Sequence, residues 1–145
     1  RAFGADHVVD MTEFDTPEFR AERVGELTGG GADVAVEVVG VPDAFSEGIS
    51  LLREGGRYLE IGNILPGHTT AFDVGALTRK SIDVTSLVKY HPWYLSRALS
   101  FLAEHGSSYP YDELVDAEFP LEDVEEAISR SASREVTRAT LRPNG

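Results

Sequence analysis

The chain has 145 residues, an apolar share of 41% and only 7 prolines, which fits a folded α/β or α+β domain and not a disordered segment. With 25 acidic against 13 basic residues its net charge is −12, which argues against nucleic acid as a partner. There is no cysteine, so disulfides and thiolate metal ligands are excluded within it.

No apolar run approaches the roughly 20 residues that cross a bilayer, and nothing resembles a signal peptide. The reading is a cytoplasmic protein without a membrane partner. Only Lys80 and Lys89 are lysines; the other basic residues are arginines. An acidic, lysine-poor surface is that of a protein soluble under strong ionic screening, or of an ordinary acidic cytosolic protein. The opening Arg1-Ala2-Phe3-Gly4 reads as the last turn of a helix closed by glycine, with chain expected upstream.

In chain order, the β-branched run 6–10 predicts a strand. Thr16-Pro17 opens a helix whose stripe is Phe19, Val24 and Leu27, and Gly29-Gly30-Gly31 ends it. Residues 32–39 (Ala-Asp-Val-Ala-Val-Glu-Val-Val) form a strand expected to be buried on both faces of a parallel sheet. Residues 42–53 are a helix with Ala44, Phe45, Ile49 and Leu52 inward, stopped by Glu54-Gly55-Gly56. Strands follow at 57–61 and 81–87, then a helix at 92–104 with Tyr94, Leu95, Ala98, Leu99 and Leu102 on its apolar side. The tail reads as a strand at 114–119, a helix at 121–130 and a strand at 136–141. This alternation predicts a parallel α/β sheet.

The glycine triplet follows a helix and precedes a strand, the reverse of a phosphate-binding fingerprint, so it reads as a plain turn. His7, His68, His91 and His105 have neither i,i+4 partners nor cysteines, and a zinc site built from this segment is not expected. Ser46, His91 and Asp112 lack any nucleophile-elbow context. Glu37, inside an apolar strand, is either a functional or a structural carboxylate. The aromatic cluster Tyr90-His91-Pro92-Trp93-Tyr94 reads as packing or an oligomer contact before a substrate contact. Ligands of α/β sheets sit beyond the carboxyl ends of the strands. Here those positions are Val39-Gly40-Val41, Ile61-Gly62-Asn63 and Thr85-Ser86-Leu87, with bare glycine at two of them.

Four segments, in order and spaced along nearly the whole chain, carry a resemblance. They are Ala2–Asp10, Thr28–Gly40, Leu52–Gly62 and Lys80–Ser86. Together they resemble the medium-chain dehydrogenase/reductase family, the group of zinc alcohol, sorbitol and threonine dehydrogenases. The resemblance implies that the chain is the C-terminal part of a Rossmann parallel sheet (residues 1–113, supplying strands three to six) followed by a return segment of a GroES-like catalytic domain (114–145). It implies an enzyme that uses NAD or NADP, with zinc in the intact protein and with the fingerprint and zinc ligands upstream. It also implies hydride transfer with a small-molecule alcohol or carbonyl substrate, and a homo-oligomer, dimer or tetramer. The other reading is a non-catalytic, family-derived dimerisation or structural module.

Carried over residue by residue, Val39 and Gly40 would line the adenosine and ribose side of the cofactor, and Ile61, Gly62 and Asn63 the nicotinamide side. Thr85 would lie near the carboxamide, and Arg138, in the last strand, would reach the pyrophosphate. Relatives often carry glycine where Ser86 stands. No residue of this segment is expected to be catalytic or to bind metal.

Overall fold

The computed structural model describes residues 2–143. They divide into two compact units, Asp6–His91 and the remaining described residues 2–5 and 92–143.

In the first unit, α1 (Pro17–Thr28) starts where expected. The Thr16 hydroxyl accepts the Phe19 N–H and Pro17 occupies the first turn. Gly29 closes the helix in the left-handed conformation. The last glycine of the triplet is required by space as well as by φ. A Cβ on Gly31 (φ 121°) would lie 2.6 Å from the Arg53 backbone nitrogen. The triplet is therefore a helix-to-strand turn packed against the start of the next strand. The buried residue of α1 is not one of the predicted apolar stripe. Phe19 is exposed, and Arg20 is buried instead, its guanidinium bound to both Glu47 oxygens (2.5 and 2.8 Å) and to the Phe14 carbonyl.

Strand β1 (Ala32–Glu37), helix α2 (Asp43–Leu51), strand β2 (Leu52–Glu60), helix α3 (Val74–Lys80) and strand β3 (Asp83–Ser86) follow. The sheet order is β1-β2-β3 and both pairings are parallel. β1 stops two residues earlier than expected. β2 begins earlier, because Glu54-Gly55-Gly56 do not stop a helix: they belong to an irregular stretch of β2, between the pairs Ala32–Leu52 and Val34–Arg57. α3 was not anticipated; its signals are Asp73, which caps the Gly75 amide, and Arg79 and Lys80 in the last turn. Lys80 donates to the carbonyls of Ser50 (2.9 Å) and Leu52 (2.7 Å), satisfying the end of α2.

One sheet face is packed. Ile49 (2% exposed), Leu52 (1%) and Tyr58 (1%) form the core, with Phe45, Phe72, Leu77 and Ile82 against them. Phe45 meets the rings of Tyr58 and Phe72 edge-on, at 5.1 and 4.9 Å between centroids. The other face is not covered: Val34 and Val36 are each 53% exposed. Burial of β1 on both faces is thus corrected, since among the described residues no layer lies on that side. Residues 6–10 form no strand either. They are mostly exposed and have no strand to pair with among the described residues.

In the second unit, Ala2–Gly4 makes a turn, and the Phe3 ring stacks on Tyr109 with Tyr111 at its edge. Arg1 lies outside the described residues. Helix α4 (Trp93–His105) forms as predicted, but its apolar residues Tyr94, Leu95, Leu99 and Leu102 are exposed instead of packed. A 3₁₀ turn at Tyr111–Leu114 replaces the start of the expected strand. The true strand β4 is Ala117–Pro120, and it pairs in parallel with β5 (Ala139–Arg142). Helix α5 (Val124–Ala132) connects them, preceded by a 3₁₀ turn at Leu121–Asp123. Phe119, Ala127 and Val136 are its buried apolar residues. Because β5 begins at Ala139, Arg138 lies just before the strand and not within it.

Candidate functional site

The three parallel strands of the first unit end side by side, so the loops after β1 and β2 and the end of β3 gather at one edge of the sheet. Five of the seven residues assigned from the sequence lie in the first two loops: Val39, Gly40, Ile61, Gly62 and Asn63. Thr85 is the sixth, near the end of β3. In register with Leu59 and Arg57–Asp83, it belongs to the uncovered face, beside a shallow depression lined by Val34, Arg57, Leu59, Asp83, Val84 and Thr85. Arg138, the seventh, belongs to the second unit. Its side chain is exposed, and its backbone N–H donates to Asp116 Oδ1 (3.1 Å). Among the described residues its guanidinium makes no ion pair, and the neighbouring Glu135 pairs with Arg130.

What organises the loops is Glu37, the last residue of β1. It is 5% exposed, and its carboxylate Oε1 accepts the backbone N–H groups of Val39 and Gly40, both at 2.6 Å. Oε2 accepts the Gly62 N–H at 3.0 Å and the Asn63 side-chain amide at 3.3 Å. One buried carboxylate therefore ties two loops that are far apart in sequence. The glycines are where this packing leaves no room for a side chain. A Cβ on Gly62 would lie 2.4 Å from the Gly40 nitrogen and 2.6 Å from the Glu37 carboxylate, and a Cβ on Gly40 would lie 2.9 Å from the Gly62 oxygen. The loops approach each other this closely whether or not a ligand does, a reason for both glycines that spacing along the chain did not reveal.

Glu60 ends β2 beside Glu37 in register, and its Oε1 accepts both the backbone N–H and the side-chain amide of Asn63, each at 3.1 Å. Burial works against ionisation of Glu37, but the hydrogen bond from Glu60 and the amides of Gly40, Val39 and Gly62 hold it below the ordinary carboxylate range. Glu60 moves the other way: burial, the hydrogen bond to Glu37 and that residue's charge push it up, against the Asn63 amides. Burial, then the charges of Glu60 and Glu37 and the approach of the hydroxyl to Glu60, also raise the Tyr58 phenol, which stays neutral. Glu60 was not singled out from the sequence. Its signal is a charged residue at the same strand-end position as Glu37.

Among the described residues no three histidine, aspartate, glutamate or cysteine side chains converge as a metal site. No helix of these residues is long and apolar enough to cross a membrane.

A parallel sheet with glycine-containing loops gathered at the carboxyl ends of its strands defines a Rossmann-like α/β fold. The zinc-binding dehydrogenase family matches residues 1–104, and the chain belongs to that family. It is 31% identical over 141 residues to a sorbitol dehydrogenase of Halalkalibacterium halodurans, covering 97% of this chain and 39% of that protein. It is 30% identical to an erythritol/L-threitol dehydrogenase of Mycolicibacterium smegmatis, over 97% of this chain and 37% of that protein. Among solved structures, an alcohol dehydrogenase of Thermotoga maritima superposes with a TM-score of 0.87 at 26% identity, over 99% of this chain and 39% of that one. The chain thus spans less than two fifths of the length of these relatives.

Proposed function

We propose that the protein containing this chain is an NAD- or NADP-dependent oxidoreductase that moves hydride between the nicotinamide ring and an alcohol or carbonyl substrate. This segment supplies part of the cofactor cleft. The observation that carries the reading is the Glu37-centred loop pair at the carboxyl ends of β1 and β2, on a chain of this family. A dinucleotide supplies the hydride chemistry when bound, and the protein's part is to hold and orient it. Val39 and Gly40 would face the adenosine and ribose side, and Ile61, Gly62 and Asn63 the nicotinamide side. The Asn63 side-chain amide is already held by Glu37 and Glu60, so the edge offered to the ring is a preset one. Thr85 lies at the end of the third strand, where a backbone group would meet the carboxamide.

The assignment of Arg138 to the pyrophosphate rests on the resemblance alone. So does the division into a Rossmann part (1–113) and a GroES-like return segment (114–145), and so do zinc bound by residues outside this chain and a homo-oligomer; a cytoplasmic location rests on composition. The names of the first two relatives indicate polyols as their substrates, which makes small polyols the first compounds to test.

The test uses protein expressed from the complete gene. Cofactor fluorescence titration with NAD and NADP, followed by absorbance at the reduced-nicotinamide band with a panel of polyols and simple alcohols, should show binding and turnover. Absence of binding of either dinucleotide by folded protein would refute the reading. Arg138→Ala should weaken dinucleotide binding by roughly 10- to 150-fold if the guanidinium bonds to phosphate. A change under about threefold would make it a surface charge.

A further inference from the structure

Glu37 and Glu60 lie beside each other at the ends of adjacent parallel strands, on the same sheet face. One side-chain amide, that of Asn63, reaches both carboxyl groups, at 3.3 and 3.1 Å. Two ionised carboxylates this close repel, whereas one proton between them turns repulsion into a hydrogen bond. We infer that Glu37 and Glu60 form a one-proton acid pair that positions the loops after β1 and β2 for the dinucleotide, and that loss of the shared proton loosens both loops together.

The division of labour follows from the partners. Glu37 already accepts three backbone N–H groups, from Val39, Gly40 and Gly62, and stays the carboxylate. Among the described residues Glu60 has only Asn63 as an N–H donor, and it is the member that keeps the proton, donating its O–H to Glu37. When Glu60 ionises, the proton leaves to solvent and that hydrogen bond is lost. Glu60 then repels the carboxylate on which both loops hang, and Asn63 is held between two like charges.

Among the described residues no cation bears on either carboxyl group. On the same face Tyr58 contributes a hydroxyl, and Ser86 of β3 lies in register with Glu60. Of the helices packed on these strands, α1 carries Arg20, bound to Glu47, and Arg23, paired with Glu26, and α2 carries Asp43, which accepts the Thr70 hydroxyl, and Glu47. α3 carries Lys80, bound to the end of α2, and the exposed Arg79.

The sign is fixed by Glu60. An acid whose folded-state pKa is raised contributes stability below that pKa and loses it as pH rises through it. The loops should therefore be tightest in mild acid and loosen toward alkaline pH.

The role of the pair in presenting the loops to a dinucleotide rests on the proposed function; the pair itself does not, and the experiment separates them. Hydrogen-exchange mass spectrometry on protein from the complete gene, corrected for intrinsic exchange, reads peptides spanning residues 38–41 and 61–63. In the wild type, protection of both peptides should fall together as pH rises from about 5 to about 9, a window above the ordinary carboxylate range. Glu60→Gln keeps a donor to Glu37 and an acceptor for Asn63 at every pH, so its protection should be flat across the window. Glu37→Gln should expose both loops about tenfold or more at all pH values; should it not fold, the wild-type and Glu60→Gln series still decide. Wild-type protection independent of pH, or a pH slope that survives in Glu60→Gln, would overturn the acid pair. Titration with NAD and NADP is run in parallel. A pH response in the loops of a protein that binds neither would sink the proposed function and leave the acid pair standing. Dinucleotide binding with loops insensitive to pH would do the reverse.

Discussion

The two compact units are built from the same motif, a strand, a helix and a second parallel strand, yet they reach different degrees of closure. In Asp6–His91 the β1-α2-β2 motif gains a third strand and α3, and its central side chains are excluded from water almost completely. In the other unit β4-α5-β5 stands as a pair of four-residue strands under one helix, and α4 exposes most of its apolar side chains. A parallel pair alone buries little, because such strands are stabilised only where helices cover both faces. The difference shows that the motif specifies pairing, while closure depends on how many further layers reach it.

The sharpest way to break this contrast is a pair of truncations. Leu52→Ala, in the closed core, should cost about 2–5 kcal/mol of unfolding free energy in urea titration. Leu99→Ala on α4, at 68% exposure, should change stability by less than about 0.5 kcal/mol. An equal loss from both would mean that α4 is covered in the complete protein, and that the contrast belongs to this segment alone.

Glycine substitutions sharpen the same point at smaller scale. Gly62→Ala puts a methyl group against the Gly40 backbone, which cannot move aside, and against the Glu37 carboxylate, which its hydrogen bonds hold in place, and should cost about 1–3 kcal/mol. Gly25→Ala, mid-helix in α1 with nothing within 4 Å of the new carbon, should instead stabilise by about 0.5–1 kcal/mol. If Gly62→Ala leaves thermal stability unchanged, the two loops are not as tightly apposed as their geometry indicates.

The units should also differ in their answer to pH. In the second unit Asp116 accepts the backbone N–H groups of Thr137 and Arg138, which hold its carboxyl at about 2, down from 3.8. A depressed acid contributes stability above its unfolded value and loses it as pH falls through the folded one. Amide protection at Thr137 and Arg138 should therefore fade between those two values; Glu37, also held below the ordinary carboxylate range, should give the loops after β1 and β2 an acid-side loss of the same sign, and the loss toward alkaline pH that Glu60 adds is what sets those loops apart. Asp116→Ala should remove the acid-side loss; persistence of that loss would assign it elsewhere.

The smallest effect concerns charge. Self-repulsion from a net charge of −12 should be screened by salt, so the melting temperature should rise modestly from dilute to molar potassium chloride. A flat response would identify ordinary acidity.

Local signals were enough for much of this. The Thr16-Pro17 start, the Gly29 stop, the β-branched run from Ala32 and the glycine-closed alternation established α/β order and the positions of the strand-end loops. Those features act through residues three or four apart, or through side-chain alternation along one strand, so they are written in the chain itself. Which face of β1 is covered, whether residues 6–10 pair, and that α4 stays exposed depend on neighbours that local pattern does not specify. The same holds for the site. Gly40 and Gly62 were legible as strand-end glycines, but the carboxylate that joins their loops, the second carboxyl beside it and the burial of Arg20 against Glu47 are contacts across 20 or more residues. Only the folded chain brings those groups together, because a charge is retained in a low-dielectric interior only where its partners arrive with it.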